Sequence, residues 1–218
     1  ARRRGVGRAL AAGVDGALTG IPLTAWSHGN HPGAAALAAQ TGYRSVRELW
    51  LMRRPAGEPV TVPTPTRSYR VRSFRPGADD VAFLAINAEA FAHHPEQGGL
   101  DARGLAERTA QEWFDPTGFL VAEPPFGDGL AGFHWTKIHP APAGGAPVGE
   151  VYVIGVAPSA QGTGLGRHLL AAGLDHLHRR GVGEVVLYVE ADNTPAVRLY
   201  EAFGFTHAAR DTDVMYAR

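Results

Sequence analysis

From residue 68 onward, the spacing of hydrophobic positions changes repeatedly between the period of a strand and that of a helix. Apolar residues at helical spacing predict helices at 79–92, 104–114, 164–180 and 195–203. Strand-like runs lie at 68–74, 119–123, 130–138, 150–156 and 185–190, and a last strand pair is expected in the tail. Asp79 is expected to cap the first helix, and the Gly-Asp-Gly turn at 127–129 predicts a hairpin. The alternation predicts a mixed α/β fold.

Residues 53–68 interrupt this pattern, with four prolines and no hydrophobic periodicity. Such a segment is typical of an extended spacer between folded parts, although a long surface loop within one domain is the alternative. We predict three parts: an incomplete N-terminal domain at 1–54, a linker at 55–67 and a complete domain at 68–218.

Two pairs of matching segments at nearly the same spacing indicate an internal repeat. R-R-R-G-V-G-R at 2–8 matches Q-G-T-G-L-G-R at 161–167, and A-A-A-L-A-A-Q-T-G-Y at 34–43 matches A-V-R-L-Y-E-A-F-G-F at 196–205. We therefore predict tandem copies of one kind of domain. Because the first copy lacks the strands that precede its glycine loop, we expect the sequence to be a fragment or to have a start placed too late.

The composition excludes several classes of protein. Hydrophobic residues make up 44% and charged residues 19%, as in a soluble globular protein, and 21 basic residues balance 21 acidic ones, which argues against nucleic acid as a partner. The absence of cysteine excludes disulfides and thiolate chemistry, and the ten histidines form no His-Glu-x-x-His frame, so we predict no metal. Without a long apolar run or a signal peptide, we expect a cytoplasmic monomer with no membrane partner.

The stretch from Glu150 to Leu170 has the pattern of an anion-binding loop: a strand, a proline-containing turn, and three glycines before and at the start of a helix. Glycine leaves backbone N–H groups unobstructed, and the first helical turn offers unpaired N–H donors to a pyrophosphate. The helix dipole contributes only about 0.3–1 kcal/mol, so several N–H bonds and Arg167 must supply the rest. The loop fits neither a Walker A nor a dinucleotide frame, and a tight turn with a helix cap is the alternative.

The loop at 161–167 and N-T-P-A-V-R-L-Y-E-A-F-G-F at 193–205 together resemble the GCN5-related N-acetyltransferases (GNATs) in the order and spacing of their motifs. The resemblance covers 68–218 fully and 1–54 in part. It implies the GNAT fold, a mixed and mainly antiparallel α/β sheet flanked by helices, with acetyl-CoA as acetyl donor. The cofactor-binding residues that it implies are Ile154, Gly155 and Val156, Gln161, Gly162, Thr163, Gly164, Leu165, Gly166 and Arg167, Asn193, Thr194, Pro195, Ala196, Val197 and Arg198, and, in the first copy, Arg2, Arg3, Arg4, Gly5, Val6 and Gly7.

The tandem layout and three further segments, at 91–98, 132–140 and 149–156, are similar to a branch of this family with a small-molecule amine as substrate. That branch acetylates the cysteinyl amine of a cysteine–glucosamine–inositol conjugate (cysteinyl glucosaminyl-inositol), and its second domain carries catalysis. The resemblance implies Glu96, Lys137, Glu150 and Tyr188 as substrate-binding residues. For Glu96 and Lys137, an ordinary solvated side chain is the alternative.

Glu150 and Tyr200 are the candidate catalytic residues. An α-amine with a pKa of about 7.7–8.0 is partly neutral at pH 7, so a modest base such as Glu150 suffices. Tyr200 is the candidate proton donor to the leaving thiolate, and its counterpart in the first copy is Ala38, which predicts that this copy is not catalytic. The alternatives are an exposed strand-end glutamate and a core tyrosine.

Two other functions remain open. One is an acetyltransferase that acts on a protein N-terminus or an aminoglycoside amine, which the glycine loop serves equally well. The other is a non-catalytic acyl-CoA-binding module. The pair Glu150 and Tyr200 argues against this second function for residues 68–218, whereas for the first copy it is the preferred interpretation.

Overall fold

A computed structural model describes residues 5–57, 60–141 and 144–218, and in the short helix at 95–98 it leaves out the side chains of residues 95 and 96. By their contacts, the residues form two compact units. The larger unit is Arg54–Leu187, and the smaller unit combines Ala1–Arg53 with Tyr188–Arg218. Among the described residues, no helix has the length and apolar character needed to cross a bilayer.

The larger unit is a sheet with helices on both faces, in the strand order β7-β6-β5-β4-β3. Its elements are β3 (Arg70–Ser73), α3 (Asp80–Ala90), α4 (Pro95–Gly98), α5 (Ala102–Thr109), β4 (Phe119–Glu123), β5 (Gly132–His139), β6 (Val148–Val156), α6 (Leu165–Arg179) and the first four residues of β7 (Glu184–Glu190). The pairings among β3, β4, β5 and β6 are antiparallel, whereas β6 and β7 are parallel. The predicted mixed, mainly antiparallel α/β fold is confirmed.

An aromatic core fills the space between this sheet and α3. Phe83 of α3 meets Phe119 and Phe133 edge-on, with ring centroids 4.9 Å apart in both pairs, and Trp135 stacks on Phe119 at 4.3 Å. These four side chains are fully buried. Edge-to-face and stacked aromatic pairs of this kind add about 0.5–1.5 kcal/mol each beyond the burial of their area. The core therefore fixes the β4–β5 hairpin, which the sequence predicts correctly.

Two expectations about helix starts in this unit need correction. The carboxylate of Asp79 makes no capping hydrogen bond to α3, because it accepts hydrogen bonds from Arg72 Nη1 (2.6 Å) and the backbone N–H of Arg75 (2.7 Å) instead. The helix predicted at 104–114 is α5, which begins at Ala102 because the Asp101 carboxylate caps it by accepting from Gly104 N–H.

The smaller unit is built around the last strand of the chain. Its elements are α1 (Val6–Ala17), β1 (Thr24–Ser27), α2 (Pro32–Thr41), β2 (Arg44–Pro55, of which the last two residues belong to the larger unit), the end of β7, α7 (Thr194–Ala202) and β8 (Thr206–Ala217). β8 pairs antiparallel with β1 on one edge and with β2 on the other. The predicted final strand pair is thus wrong, since the tail is one long strand.

Local geometry is the same in the two segments of the repeat. Gly5 (φ 76°) precedes α1 and Gly164 (φ 84°) precedes α6 as left-handed N-cap residues. Gly42 (φ 80°) and Gly204 (φ 81°) follow α2 and α7 in the same conformation. The domain boundaries at 54 and 68 stay a prediction, because the contact-based units divide the chain differently.

Candidate active site

A glycine loop connects β6 to α6 in the larger unit. After a short 3-10 turn at Pro158–Ala160, Gly162 and Gly164 adopt φ values of 73° and 84°. L-residues with a side chain rarely adopt this region, so glycine is required at both points. A Cβ atom placed on Gly162 would meet no atom within 4 Å, so the backbone of the loop is open to a ligand at this point.

The loop ends at the N-terminus of α6, where backbone donors are available. His168 N–H is bonded to the carbonyl of Gly164 (3.1 Å), so the preceding amides of α6 have no acceptor within the helix. A Cβ on Gly166 would lie 3.7 Å from Val156 Cγ2, which shows that this turn packs on the end of β6. On its buried side, α6 packs into the core through leucines, including the fully buried Leu165 and Leu169. This cradle fits the diphosphate of a coenzyme A molecule.

Residues 63–69, which include the end of the proline-rich linker and the two residues after it, are hydrogen-bonded to the loop and to the start of α6, and we call this segment the strap. The backbone N–H and Oγ1 of Thr66 both donate to the carbonyl of Thr163, at 2.9 and 3.0 Å. His168 Nδ1 donates to the carbonyl of Pro63 (2.7 Å), and the hydroxyl of Tyr69 lies 3.2 Å from Thr163 Oγ1. The linker therefore contributes directly to the shape of the loop.

A β-bulge in β6 changes the course of this strand ahead of the loop. In the register with β5, Trp135 pairs with Val153 but Thr136 pairs with Val151, so Tyr152 is an extra residue. The parallel register between β6 and β7 ends at the pair of Val151 with Leu187. Bulges bend a strand and are common beside active sites. The bulge thus lies at the point where β6 is last paired with β7.

Beyond the bulge, backbone donors of β6 point away from β5. The N–H of Ala157 donates to the carbonyl of Ala131 on the β5 side (2.9 Å). Because N–H directions alternate along a strand, the N–H groups of Ile154 and Val156 face the opposite side. Such N–H groups are suited to stabilising charge on a carbonyl oxygen.

Glu150 lies two residues before the bulge, in a shielded position. It is directly opposite Lys137 in the register of β5 and β6. Its side chain is only 12% exposed, and Oε2 lies 2.6 Å from Nε2 of His139. Glu150 is therefore not an ordinary solvated strand-end residue.

An aromatic surface lies beside this carboxylate. The ammonium of Lys137 is 4.6 Å from the ring centroid of Trp113 and 5.5 Å from that of Tyr152. The hydroxyl of Tyr152 accepts a hydrogen bond from Arg108 Nε (3.2 Å). Cation–π contacts of this kind contribute about 0.5–2 kcal/mol and fix the direction of the lysine side chain.

The smaller unit carries the other predicted residues of the second motif. Asn193 caps α7 by accepting from Ala196 N–H (3.2 Å), and the segment from Thr194 to Arg198 forms the first turns of this helix. Tyr200 is buried on the same helix and packs edge-on against Phe205, with centroids 5.9 Å apart. Burial raises the pKa of the Tyr200 hydroxyl to about 12. Tyr188, in β7, is half exposed.

The structure thus groups the predicted residues by unit. Glu150, Lys137, Ile154–Val156 and the loop at 161–167 lie in the larger unit, whereas Tyr188, 193–198, Tyr200, Gly5, Val6 and Gly7 lie in the smaller one. The predictions for Arg2, Arg3 and Arg4, and for the side chain of Glu96, fall outside the described residues. Within the three described ranges, no three His, Cys, Asp or Glu side chains form a group that could hold a metal ion.

Sequence reasoning missed the residues that surround Glu150 and the loop. Alternation along β5 places His139 on the same face as Lys137, so the period of a strand was a usable signal for His139. No local pattern could reveal Trp113 or Thr66, because their contacts join segments that are distant in the sequence.

Comparisons with known proteins identify the family of the chain. The model of the acetyltransferase (GNAT) family matches residues 86–205. The chain is 55% identical over 222 residues to the mycothiol acetyltransferase of Catenulispora acidiphila, covering 99% of this chain and 68% of that protein. It is 52% identical to the mycothiol acetyltransferase of a Nocardioides species, covering 100% of this chain and 77% of that protein.

A solved structure shares the fold. The crystal structure of a GCN5-related N-acetyltransferase from Sphaerobacter thermophilus matches with a TM-score of 0.81 at 26% identity, covering all of this chain and 69% of that one. These matches confirm the prediction of an acetyl-CoA-dependent acyltransferase with a GNAT fold. The chain belongs to the GNAT family of acetyltransferases and, within it, to the group of the mycothiol acetyltransferases.

Proposed function

We propose that this protein transfers the acetyl group of acetyl-CoA to the cysteinyl α-amine of a cysteine–glucosamine–inositol conjugate, which yields mycothiol. The relatives named mycothiol acetyltransferase support this acceptor. The observation that carries the proposal is the shielded carboxylate of Glu150, on the strand that leads into the glycine loop.

The loop residues from Gln161 to Arg167 would hold the diphosphate of acetyl-CoA. The open backbone at Gly162 and the amides of the first turn of α6 support this role. When bound, acetyl-CoA supplies an activated thioester carbonyl. The N–H groups of Ile154 and Val156 would stabilise the negative charge that develops on its oxygen, and donors of this kind are worth a few kcal/mol each.

Glu150 would act as the base. The amine nitrogen forms a bond to the carbonyl carbon, the carbon–sulfur bond breaks, and the amine proton passes to the carboxylate. Because an α-amine has a reference pKa of about 7.7–8.0, a carboxylate within reach is sufficient near neutral pH. The small exposed fraction of Glu150 limits competition from water.

Tyr200 would stabilise the departing sulfur. With its pKa raised to about 12, the phenol would keep its proton near neutral pH. That pKa lies above the value of about 8.5 for a thiol, so a hydrogen bond to the thiolate is favoured over complete proton transfer. The first copy has Ala38 at the corresponding position and is proposed to be non-catalytic.

Substrate recognition would rest on Lys137, Tyr188 and Glu96. Lys137 supports this assignment, because its ammonium is held over Trp113 beside the carboxylate of Glu150. A sugar–inositol conjugate offers many hydroxyl groups to such a cation.

The test is an acetylation assay with acetyl-CoA, in which the cysteinyl conjugate competes with a panel of peptide and aminoglycoside amines. We expect the cysteinyl conjugate to have the highest kcat/KM, and Glu150→Gln to lose about a hundredfold in kcat near neutral pH. Part of this loss should be recovered at higher pH, where more of the amine is neutral. Preference for a peptide or aminoglycoside amine would contradict the proposed acceptor.

A further inference from the structure

The end of β5 carries a histidine, His139, whose ring is in direct contact with Glu150. We propose that His139 is a positioning residue for the acetyl transfer: its imidazole N–H holds one oxygen of the Glu150 carboxylate and leaves the other oxygen free for the amine. This inference rests on the proposed function of Glu150 as the base.

The backbone register places the two side chains together. His139 is opposite Val148 and Lys137 is opposite Glu150 in the antiparallel pairing of β5 with β6. Residues two apart in a strand share a face, so His139 and Lys137 flank the carboxylate from the same strand. The imidazole Nε2 reaches Oε2 of Glu150 at 2.6 Å, the length of a strong hydrogen bond to a charged group.

The histidine, and not the lysine, determines the orientation of the carboxylate. The ammonium of Lys137 is directed at the rings of Trp113 and Tyr152, at 4.6 and 5.5 Å. A carboxylate has two oxygens and accepts several hydrogen bonds, so the bond to Oε2 leaves the lone pairs of Oε1 available. A glutamate that is free to rotate would present this oxygen only part of the time.

The two partners differ in their access to water. The Glu150 side chain is 12% exposed, whereas that of His139 is 42% exposed. The imidazole therefore connects a shielded carboxylate to solvent.

Several other charged or titratable groups lie near this pair. Lys137 lies on β5 and Tyr152 on β6, Arg108 of α5 binds the hydroxyl of Tyr152, and Glu184 of β7 is opposite Val148. The imidazole of His139 contacts the carboxylate of Glu150.

The experiment compares His139→Ala and His139→Gln in the wild-type chain and in a Glu150→Gln background. Steady-state kinetics with acetyl-CoA and the cysteinyl conjugate are measured across the neutral pH range. We expect His139→Ala to lower kcat about tenfold and to leave the KM for acetyl-CoA unchanged. His139→Gln keeps an N–H donor, so it should restore most of kcat.

In the Glu150→Gln background, His139→Ala should cost less than about twofold, because a residue that acts through Glu150 has no further effect once the base is lost. An equal loss in both backgrounds would overturn the inference, as would a wild-type kcat in His139→Ala. If Glu150→Gln itself were fully active, the proposed base and the positioning role that depends on it would both be wrong, whereas an equal loss in both backgrounds overturns the positioning role alone. Thermal unfolding of each variant separates these effects from misfolding, and His139→Gln provides the test if the alanine variant does not fold.

Discussion

At the scale of single residues, the two proposed catalytic groups need opposite environments. Tyr200 must keep its proton, and burial favours the neutral phenol. Glu150 must remain a charged carboxylate while partly shielded, and the hydrogen bond from His139 compensates for the loss of water. The sequence identifies both residues through motif spacing, but it cannot reveal these environments, which depend on contacts with other segments.

Replacing Tyr200 by phenylalanine should separate catalysis from binding. The ring keeps its packing against Phe205, but the hydroxyl is lost, so kcat should fall by about tenfold or more while the Kd for acetyl-CoA stays the same. Steady-state kinetics and calorimetry measure the two quantities. Tyr216→Phe, at a partly buried tyrosine of β8, is the matched control. Unchanged turnover in Tyr200→Phe would remove this residue from the mechanism.

The stability of the larger unit should decrease in mild acid because of His134. This ring is fully buried, Nδ1 donates to the carbonyl of Leu169 (2.8 Å), and burial lowers its pKa to about 4. Histidine in the unfolded chain has a pKa of about 6.5, so between these two values only the unfolded state binds the proton. The free energy of unfolding should therefore decrease from about pH 6.5 towards pH 4, by up to about 3 kcal/mol.

The variant His134→Leu tests whether His134 causes this loss of stability in acid, because leucine does not titrate. Urea unfolding at neutral and mildly acidic pH should show a smaller loss of stability in the variant. Some loss should remain, since burial also lowers the pKa of His176. An equal pH dependence in both proteins would mean that His134 does not remain neutral in the folded state.

At the scale of elements, the glycine loop shows how far local sequence determines a site. The glycines and the start of α6 are predictable, because a positive φ and a helix N-terminus have local signatures. The contacts of the strap are not predictable, because its hydrogen bonds join Thr66 to Thr163 across about a hundred residues of chain. Linker composition indicates an extended segment but cannot show what it contacts.

Gly164→Ala should weaken the binding of acetyl-CoA more than it lowers stability. Among the described residues, a Cβ at Gly164 would meet Pro65 alone, at 3.6 Å, so the cost is mainly the left-handed backbone, about 1–2 kcal/mol. Relief of this strain would move the amides of Gly164 and Leu165 away from the diphosphate. We expect the Kd for acetyl-CoA, measured by calorimetry, to increase at least about tenfold.

The matched control is Gly127→Ala. Gly127 has φ 87°, and a Cβ there would meet no described atom within 4 Å, but it lies in the β4–β5 turn and not in the loop. It carries similar backbone strain and should leave the Kd unchanged. Equal affinities in the two variants would contradict the assignment of the loop as the diphosphate site.

At the scale of the whole molecule, the order of strands along the chain differs from their order in space. β8 is the last strand, yet in the smaller unit it lies between β1 and β2 from the beginning of the chain. The repeat and the fold class can be predicted from motif order, because they depend on local periodicity. The pairing of strands cannot be predicted in this way, because any strand with one apolar face can pair with several others.

Because β8 lies between two other strands, we expect a charge buried in it to lower the free energy of unfolding much more than the same charge at an exposed position. Val214 is 4% exposed and pairs with Ser27 of β1 and Glu48 of β2. Val214→Asp would bury an unpaired charge between the two strands and should lower the free energy of unfolding by about 3 kcal/mol or more. Val81→Asp introduces the same charge at a valine of α3 that is 82% exposed, and it should change stability by less than about 0.5 kcal/mol. Chemical denaturation of both variants measures the difference, and equal stabilities would show that β8 does not hold β1 and β2 together.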